Sequence, residues 1–517
     1  MPSSPTSPSA LPARLRRHLR LAGLATVSGL LVGTAAWAFL EALDRATRLR
    51  LDHPGLVWFL PLAGLAVGLA YHLFGGRAGE GNTLLLREIH EPSAWVPRRM
   101  APMVAVSTVV SHLFGASVGR EGSALQMSGS LTDLVNRVVG VRREDRRVLL
   151  VAALGGGFGA VFGVPWAGLV FGLEVQLMGR WRARGLVRTA TERLGVPWHR
   201  RASAPDRPRG AGPSIDDVAG SPDDLADREG EGDAGVVGAA GADRDAGGAG
   251  APAAKGAGGA SGEDEPPAPL GRLRAAVVPT AIASFLGNEV VGLLGHHHEA
   301  RPRFTDALDL RAVLAAVAVG LACGVAAVVF VGASDGLRHR LNRLVALPPL
   351  RPVLGGVAVV VLTLAVGHEY LGLSLGLGDA AFAGTATSFS DPAWKLAFTA
   401  VCLGTGYIGG EVTPMFVIGA TLGAAVGHAA GIDPVVGASL GYGAVFAGAA
   451  NAPLACTVLA VETFGAGIAP LAIVTCALAF AASGRYGVYH HRPDDEPTLP
   501  ARLRARAQSQ PRRRKLR

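Results

Sequence analysis

Charge is scarce in this sequence. Charged side chains make up 17% of its 517 residues, against about 25% in soluble globular proteins. That shortage excludes an ordinary soluble domain, because the hydrophobic residues, 49% of the chain, gather into long runs. Cysteine is scarce too. Cys323, Cys402, Cys456 and Cys476 lie in or beside apolar runs without metal-ligand spacing, so packed thiols are expected. No small-x-small cleavage site follows the first apolar run at the right distance, so the first helix is expected to stay in the mature protein. His296, His297 and His298, followed by Glu299, have no matching ligand set elsewhere. They read as a solvated turn at a span end. No cofactor or metal is expected. An intramembrane hydrolase or metalloenzyme built on Glu121, Glu411 and these histidines would lack its nucleophile or metal set.

The apolar runs cover residues 21–43, 58–74, 148–162, 310–332 and 354–367. Several approach the roughly 20 residues of a spanning helix. The reading is therefore an all-α polytopic membrane protein, whose 71 glycines suit helices that pack closely or break inside the bilayer. The net charge of +9 is no nucleic-acid footprint. Its basic residues cluster beside apolar runs, at 14–20, 180–188, Arg200 and Arg201, and 512–517. By the positive-inside rule those segments, and both termini, are expected in the cytoplasm. The basic tail also attracts anionic lipid.

Five regions follow. Residues 1–19 are a cytoplasmic N-terminal segment, and 20–194 a first membrane repeat. Residues 195–269, rich in Gly, Ala, Asp and Pro, are expected to be a disordered cytoplasmic insertion. Residues 270–490 are a second membrane repeat, and 491–517 a basic cytoplasmic tail. Each membrane portion carries a glycine-rich break with an embedded glutamate: GASVGREGSALQMSG at 115–129 and GYIGGEVTPMF at 406–416. Each break precedes a second one, GAVFGVPWAG at 159–168 and GAVFAGAANAPLAC at 443–456. Paired breaks in two halves point to a transporter whose site lies where broken helices meet at the midplane.

The chemistry concentrates at those breaks. Gly119 and Gly122 flank Arg120 and Glu121 and let the chain enter a helix, whose unpaired N–H groups and dipole make an anion site. Glu121 can occupy that site as a tethered anion or vacate it when protonated. The bland alternative is an Arg120–Glu121 salt bridge, although adjacent helical residues do not face each other. At GGEVTP, Gly409 and Gly410 break the chain and Pro414 suits the first turn. Thr413 can cap the helix or donate its hydroxyl to an anion. Glu411 is costly in an apolar setting; its bland reading is a structural pairing with Lys395. GEGNTLLLREIH at 79–90 is a third glycine-broken entry, where Asn82 and Thr83 offer donors and plain N-capping is the alternative. Tyr486 and Tyr489 end the last apolar run, where an interfacial belt is the usual role of tyrosine.

At these residues the sequence resembles the CLC chloride channel and antiporter family. GREGS is similar to the family's GREGP, GGEVTP to its GGIFAP, and GEGNT to its GSGIP; GAGIAPLAIV and SGRYGVY resemble its closing helices. The resemblance implies a CLC-type fold of two inverted repeats with broken and tilted helices, and a homodimer with one pathway per subunit. It makes Glu121 the external gating and proton-coupling glutamate, and Tyr489 the central tyrosine that donates to the anion. Gly119, Arg120, Gly122, Ser123, Gly410, Val412 and Thr413 would then surround the anion.

The departures resemble the fluoride-exporting branch, marked by GREG-Thr/Ser, Gly-x-Gly-Asn and GGEVTP. On that resemblance Asn82 carries selectivity, Glu411 and Thr413 line the path, and the protein exports fluoride across the cytoplasmic membrane in exchange for protons. Val175 stands where chloride antiporters carry an internal proton-relay glutamate, leaving coupling to Glu121 and Glu411. Glu80 replaces the chloride-selecting serine; either it points to cytoplasmic water, or the correspondence shifts by a residue. Physics favours fluoride independently. A small, tightly hydrated anion demands hard donors, and burial favours a neutral Glu411 that can donate. A chloride-selective channel or antiporter is the alternative.

Overall fold

The computed structural model describes residues 13–176, 269–298, 301–304, 309–484 and 487–488. All but the last residue of the insertion expected at 195–269, and the whole tail at 491–517, lie outside them. The first half supplies α1 (Ala13–Asp52), α2 (Leu60–Phe74), α3 (Asn82–His90), α4 (Met100–Leu113), α5 (Glu121–Val139), α6 (Arg143–Phe162) and α7 (Pro165–Val175). The second begins with α8 (Pro269–Leu293), α9 (Leu310–Leu344), α10 (Leu350–Val366), α11 (Leu375–Phe382) and α12 (Ser390–Thr405). It ends with α13 (Val412–Ala429), α14 (Pro434–Ala450), α15 (Pro453–Phe464) and α16 (Ala469–Ser483). Among the described residues there is no strand, only one isolated bridge between Gly119 and Gly410. Among the described residues, six helical stretches are long and apolar enough to cross a membrane.

Helix lengths depart from the apolar runs in an instructive way. The run at 21–43 is only the middle of α1, whose 40 residues reach about 60 Å at 1.5 Å per residue. A hydrocarbon core is roughly 30 Å thick, so α1 must tilt or project. Charge pairing carries it beyond the apolar run. Glu41 meets Arg45 at 3.0 Å one turn on, and Arg17 reaches Asp145 at the start of α6 at 2.7 Å. The helix stops where Pro54 follows His53, since a proline cannot continue the hydrogen-bond ladder.

Glycine sets the closest packing. Gly419, Gly423 and Gly427 on α13 repeat every four residues against Gly437 and Gly441 on α14. A methyl group at Gly419 would strike the Gly441 carbonyl, and one at Gly423 the Gly437 carbonyl. Only paired glycines let the two backbones approach so closely. Around this seam Phe158, Phe171, Phe416 and Phe446 fill the core with contacting rings.

The two halves also lock each other reciprocally. Pro165 opens α7 and Pro453 opens α15, and a glutamate follows each by nine residues. The Glu462 carboxylate accepts the backbone N–H groups of Trp166 (3.2 Å) and Ala167 (3.0 Å) at the start of α7. Glu174 accepts those of Leu454 (3.2 Å) and Ala455 (2.8 Å) at the start of α15. Each helix thus supplies the carboxyl oxygens that satisfy the other's orphan donors. The sequence repeat contained this device, but its role is visible only once α7 and α15 lie side by side.

Candidate anion and proton site

The two glycine breaks meet directly. Gly119 donates its N–H to the Gly410 carbonyl at 2.5 Å, and Gly410 returns the bond to Gly119 at 2.6 Å. No side chain fits between them. A Cβ on Gly410 would stand 2.6 Å from the Gly122 nitrogen, and one on Gly119 would stand 2.8 Å from Pro414 Cδ. Immediately beyond this bridge α5 starts at Glu121 and α13 at Val412. Two helix starts, with their unpaired N–H groups and positive dipole ends, are therefore held together.

The Glu121 carboxylate lies across both starts and is 1% exposed. One oxygen accepts from the Arg120 N–H and the Thr413 N–H, each at 3.0 Å. The other accepts from the Thr413 hydroxyl and lies 3.4 Å from Arg120 Nε. Hydrogen bonds to a charged group contribute about 1.5–3 kcal/mol each. This carboxylate occupies the place that the two helix starts would offer a free anion. Arg120 and Glu121 do pair, contrary to the argument from adjacency. Arg120 precedes the first helical residue, so the rule for neighbours on a helix face does not apply to it.

Asn82, Gly122, Gly410 and Glu411 form a second group against the first. From the point where a Gly122 Cβ would lie, Gly410 Cα is at 3.0 Å, Asn82 Nδ2 at 3.1 Å and Glu411 Oε2 at 3.4 Å. Asn82 does not cap its helix. Gly81, at φ 60°, takes the cap position and Asn82 is the first residue of α3. Its Oδ1 is buried without a hydrogen-bond partner among the described residues. Thr413 likewise spends its hydroxyl on Glu121 rather than as a cap.

Other expected residues settle into distinct places. Val412 is fully buried at the start of α13. Ser123 is buried, and its hydroxyl lies 2.7 Å from that of Thr108, whose own proton goes to the Val104 carbonyl. Ser123 is therefore the donor of that pair, and its proton is committed to packing α5 on α4. Lys395 is fully buried, and its ammonium donates to the Ser117 and Ser374 hydroxyls and the Tyr370 and Gly372 carbonyls. None of those four bonds goes to Glu411. Lys395 holds the segment before Gly119, a role the sequence did not suggest. Glu80 is half-exposed and pairs with Arg87 at 2.7 Å, which places a cation beside its charge. Tyr486, Tyr489 and Glu299 lie outside the described residues.

The geometry can be set beside known proteins. The family model described as voltage gated chloride channel matches residues 63–192 and 273–484. The "Chloride/fluoride channel protein" of Pseudomonas syringae pv. tomato is 38% identical over 92% of this chain and 86% of its own. The "H(+)/Cl(-) exchange transporter ClcA" of Salmonella typhimurium is 29% identical over 31% of this chain and 37% of its own. A solved structure described as a CLC-type fluoride/proton antiporter superposes with a TM-score of 0.70 at 23% identity. It covers 93% of this chain and 98% of its own. A slow cyanobacterial Cl-/H+ antiporter covers 92% of this chain and 96% of its own, with a TM-score of 0.62 at 17% identity. The fold is thus that of CLC antiporters, two inverted repeats with broken helices, and the chain belongs to the voltage gated chloride channel family of multi-pass membrane ion transporters.

Proposed function

We propose that this protein is a fluoride/proton antiporter that exports fluoride across the cytoplasmic membrane, with protons moving inward to drive it. The observation that carries the reading is the Glu121 carboxylate, bonded at once to the starts of α5 and α13 through Arg120 and Thr413. Ionised, it fills the anion place. Protonated, it loses its charge and yields that place to fluoride. The Glu121 carboxylate and fluoride thus compete for one set of donors, which couples fluoride entry to proton uptake by Glu121.

Selectivity rests on Asn82, Glu411 and Thr413. These offer amide, carboxyl and hydroxyl groups, hard donors able to replace the tight hydration shell of fluoride. A protonated Glu411 donates to fluoride or passes it a proton. Val412 and the glycines 119, 122 and 410 complete the narrow surroundings, and Tyr489 takes the role of the tyrosine that donates to the anion. The protein works as a homodimer with one pathway per subunit. Both termini face the cytoplasm.

The test is ion-selective-electrode efflux from proteoliposomes loaded with fluoride or with chloride. Fast fluoride and slow chloride efflux is the expected result. Chloride efflux equal to or faster than fluoride efflux would replace this reading with a chloride transporter.

A further inference from the structure

A single seam runs from the fluoride path away along α3 and α5. Asn82 lies beside Gly122, and Gly81 faces the Gln126 amide. Leu85 packs so tightly on Gly129 that a Cβ there would stand 2.6 Å from Leu85 Cδ2. Positions 122, 126, 129 and 133 share one face of α5, and the seam ends at Asp133. There Arg146, reaching over from α6, donates to Asp133 Oδ1 and Oδ2 at 2.7 and 2.8 Å and to Glu88 of α3 at 3.0 Å. It also donates to the Ala94 carbonyl at 2.9 Å and lies 4.9 Å over the Trp95 ring. Glu88 in turn accepts from Ser93 and Arg77, and Asp133 accepts from the Val96 N–H at 2.7 Å.

The near end of the seam has its own ties. The 3-10 turn Gly76–Glu80 precedes Gly81. Two ion pairs join this turn to α3: Arg77 with Glu88 at 2.9 Å, and Glu80 with Arg87 at 2.7 Å. They bracket Gly81 and Asn82 on both sides in sequence.

We infer that Arg146, through Glu88 and Asp133, fixes the register of α3 on α5 and so sets where Asn82 stands against Gly122 and Glu411. It is a positioning residue that determines anion selectivity from about 16 Å along the helix, eleven residues at 1.5 Å each. This inference rests on the reading that Asn82 lines the fluoride path. A planar guanidinium suits the task because it can bond two carboxylates at fixed angles, which an ammonium cannot. Glu80 belongs to the same framework, its charge paired with Arg87, rather than to the anion's surroundings.

The experiment compares fluoride and chloride fluxes of Arg146→Lys with those of the parent protein, in proteoliposomes made from monodisperse protein. The expected result is a fluoride/chloride ratio lowered roughly tenfold, the scale on which supporting residues move a site, with chloride flux retained. An unchanged ratio, or a parallel fall of both fluxes, overturns the inference. If Arg146→Lys is not recovered folded, Arg87→Glu alone and the exchanged pair Glu80→Arg with Arg87→Glu decide the matter. The single variant is expected to lower the ratio and the exchanged pair to restore it. No change in the single variant, or no restoration in the pair, counts against the inference. Parent protein that prefers chloride would instead defeat the functional reading; the seam still requires Arg146→Lys to shift the ratio.

Discussion

The two glutamates at the paired breaks occupy corresponding places in the repeats, yet the chain uses them differently. Glu121 opens α5 and folds back over its own helix start to reach that of α13 through Thr413. Glu411 precedes α13 and has its carboxylate near Asn82 and the glycine at position 122. One carboxylate thus stands where an anion would sit, and the other beside that place. Inverted repeats supply two helix starts, and their glutamates differ in which of those starts the carboxylate reaches.

Breaking the first member of the pair should have the largest effect. Glu121→Gln keeps the shape and removes the titrating charge, so uphill fluoride movement driven by a pH gradient should vanish. Fluoride and proton fluxes recorded together check this. Gly410→Ala comes next, because its methyl would press on the Gly122 nitrogen at 2.6 Å. Overpacking of this kind costs about 1–3 kcal/mol, read as a lower melting temperature with transport lost. Glu411→Gln should lower fluoride flux roughly tenfold, the scale of one lost hydrogen bond to an anion, with chloride flux less affected. Unchanged fluoride flux and coupling would remove Glu411 from the path.

Two milder substitutions sharpen the comparison. Thr413→Val deletes the hydroxyl that holds Glu121. Because the same hydroxyl would donate to fluoride once Glu121 leaves, fluoride should bind about tenfold more weakly, measurable by calorimetry. Glu462→Gln weakens two bonds at the start of α7 and should lower stability by about 1 kcal/mol. The fluoride/chloride ratio should stay as it was.

Much of this site was legible in the sequence because glycine and buried charge are rare in combination. GREG and GGEVTP announced helix starts, and helices begin at Glu121 and Val412. What the motifs could not reveal was how side chains would be spent. The family resemblance sets Ser123 beside the anion, but its proton goes to Thr108, a partner fifteen residues away on another helix. Lys395 enters the sequence reading only as the alternative partner of Glu411, but its ammonium is consumed by two hydroxyls and two carbonyls. Arg146 attracted no notice in a basic stretch, because its meaning depends on Glu88 and Asp133 arriving from two other helices. Local conformation follows from local residue types; the allocation of donors follows from packing across the whole repeat.

The central claim is that the ionised Glu121 carboxylate and fluoride exclude each other at one place, so that fluoride enters only when Glu121 takes up a proton. It is tested most directly by placing the protein in liposomes with equal fluoride on both sides and imposing a pH gradient. The account predicts that fluoride leaves the more alkaline side and accumulates on the more acidic one, and that Glu121→Gln abolishes the movement. Fluoride that stays level in the parent protein, or that moves equally well in Glu121→Gln, would contradict it.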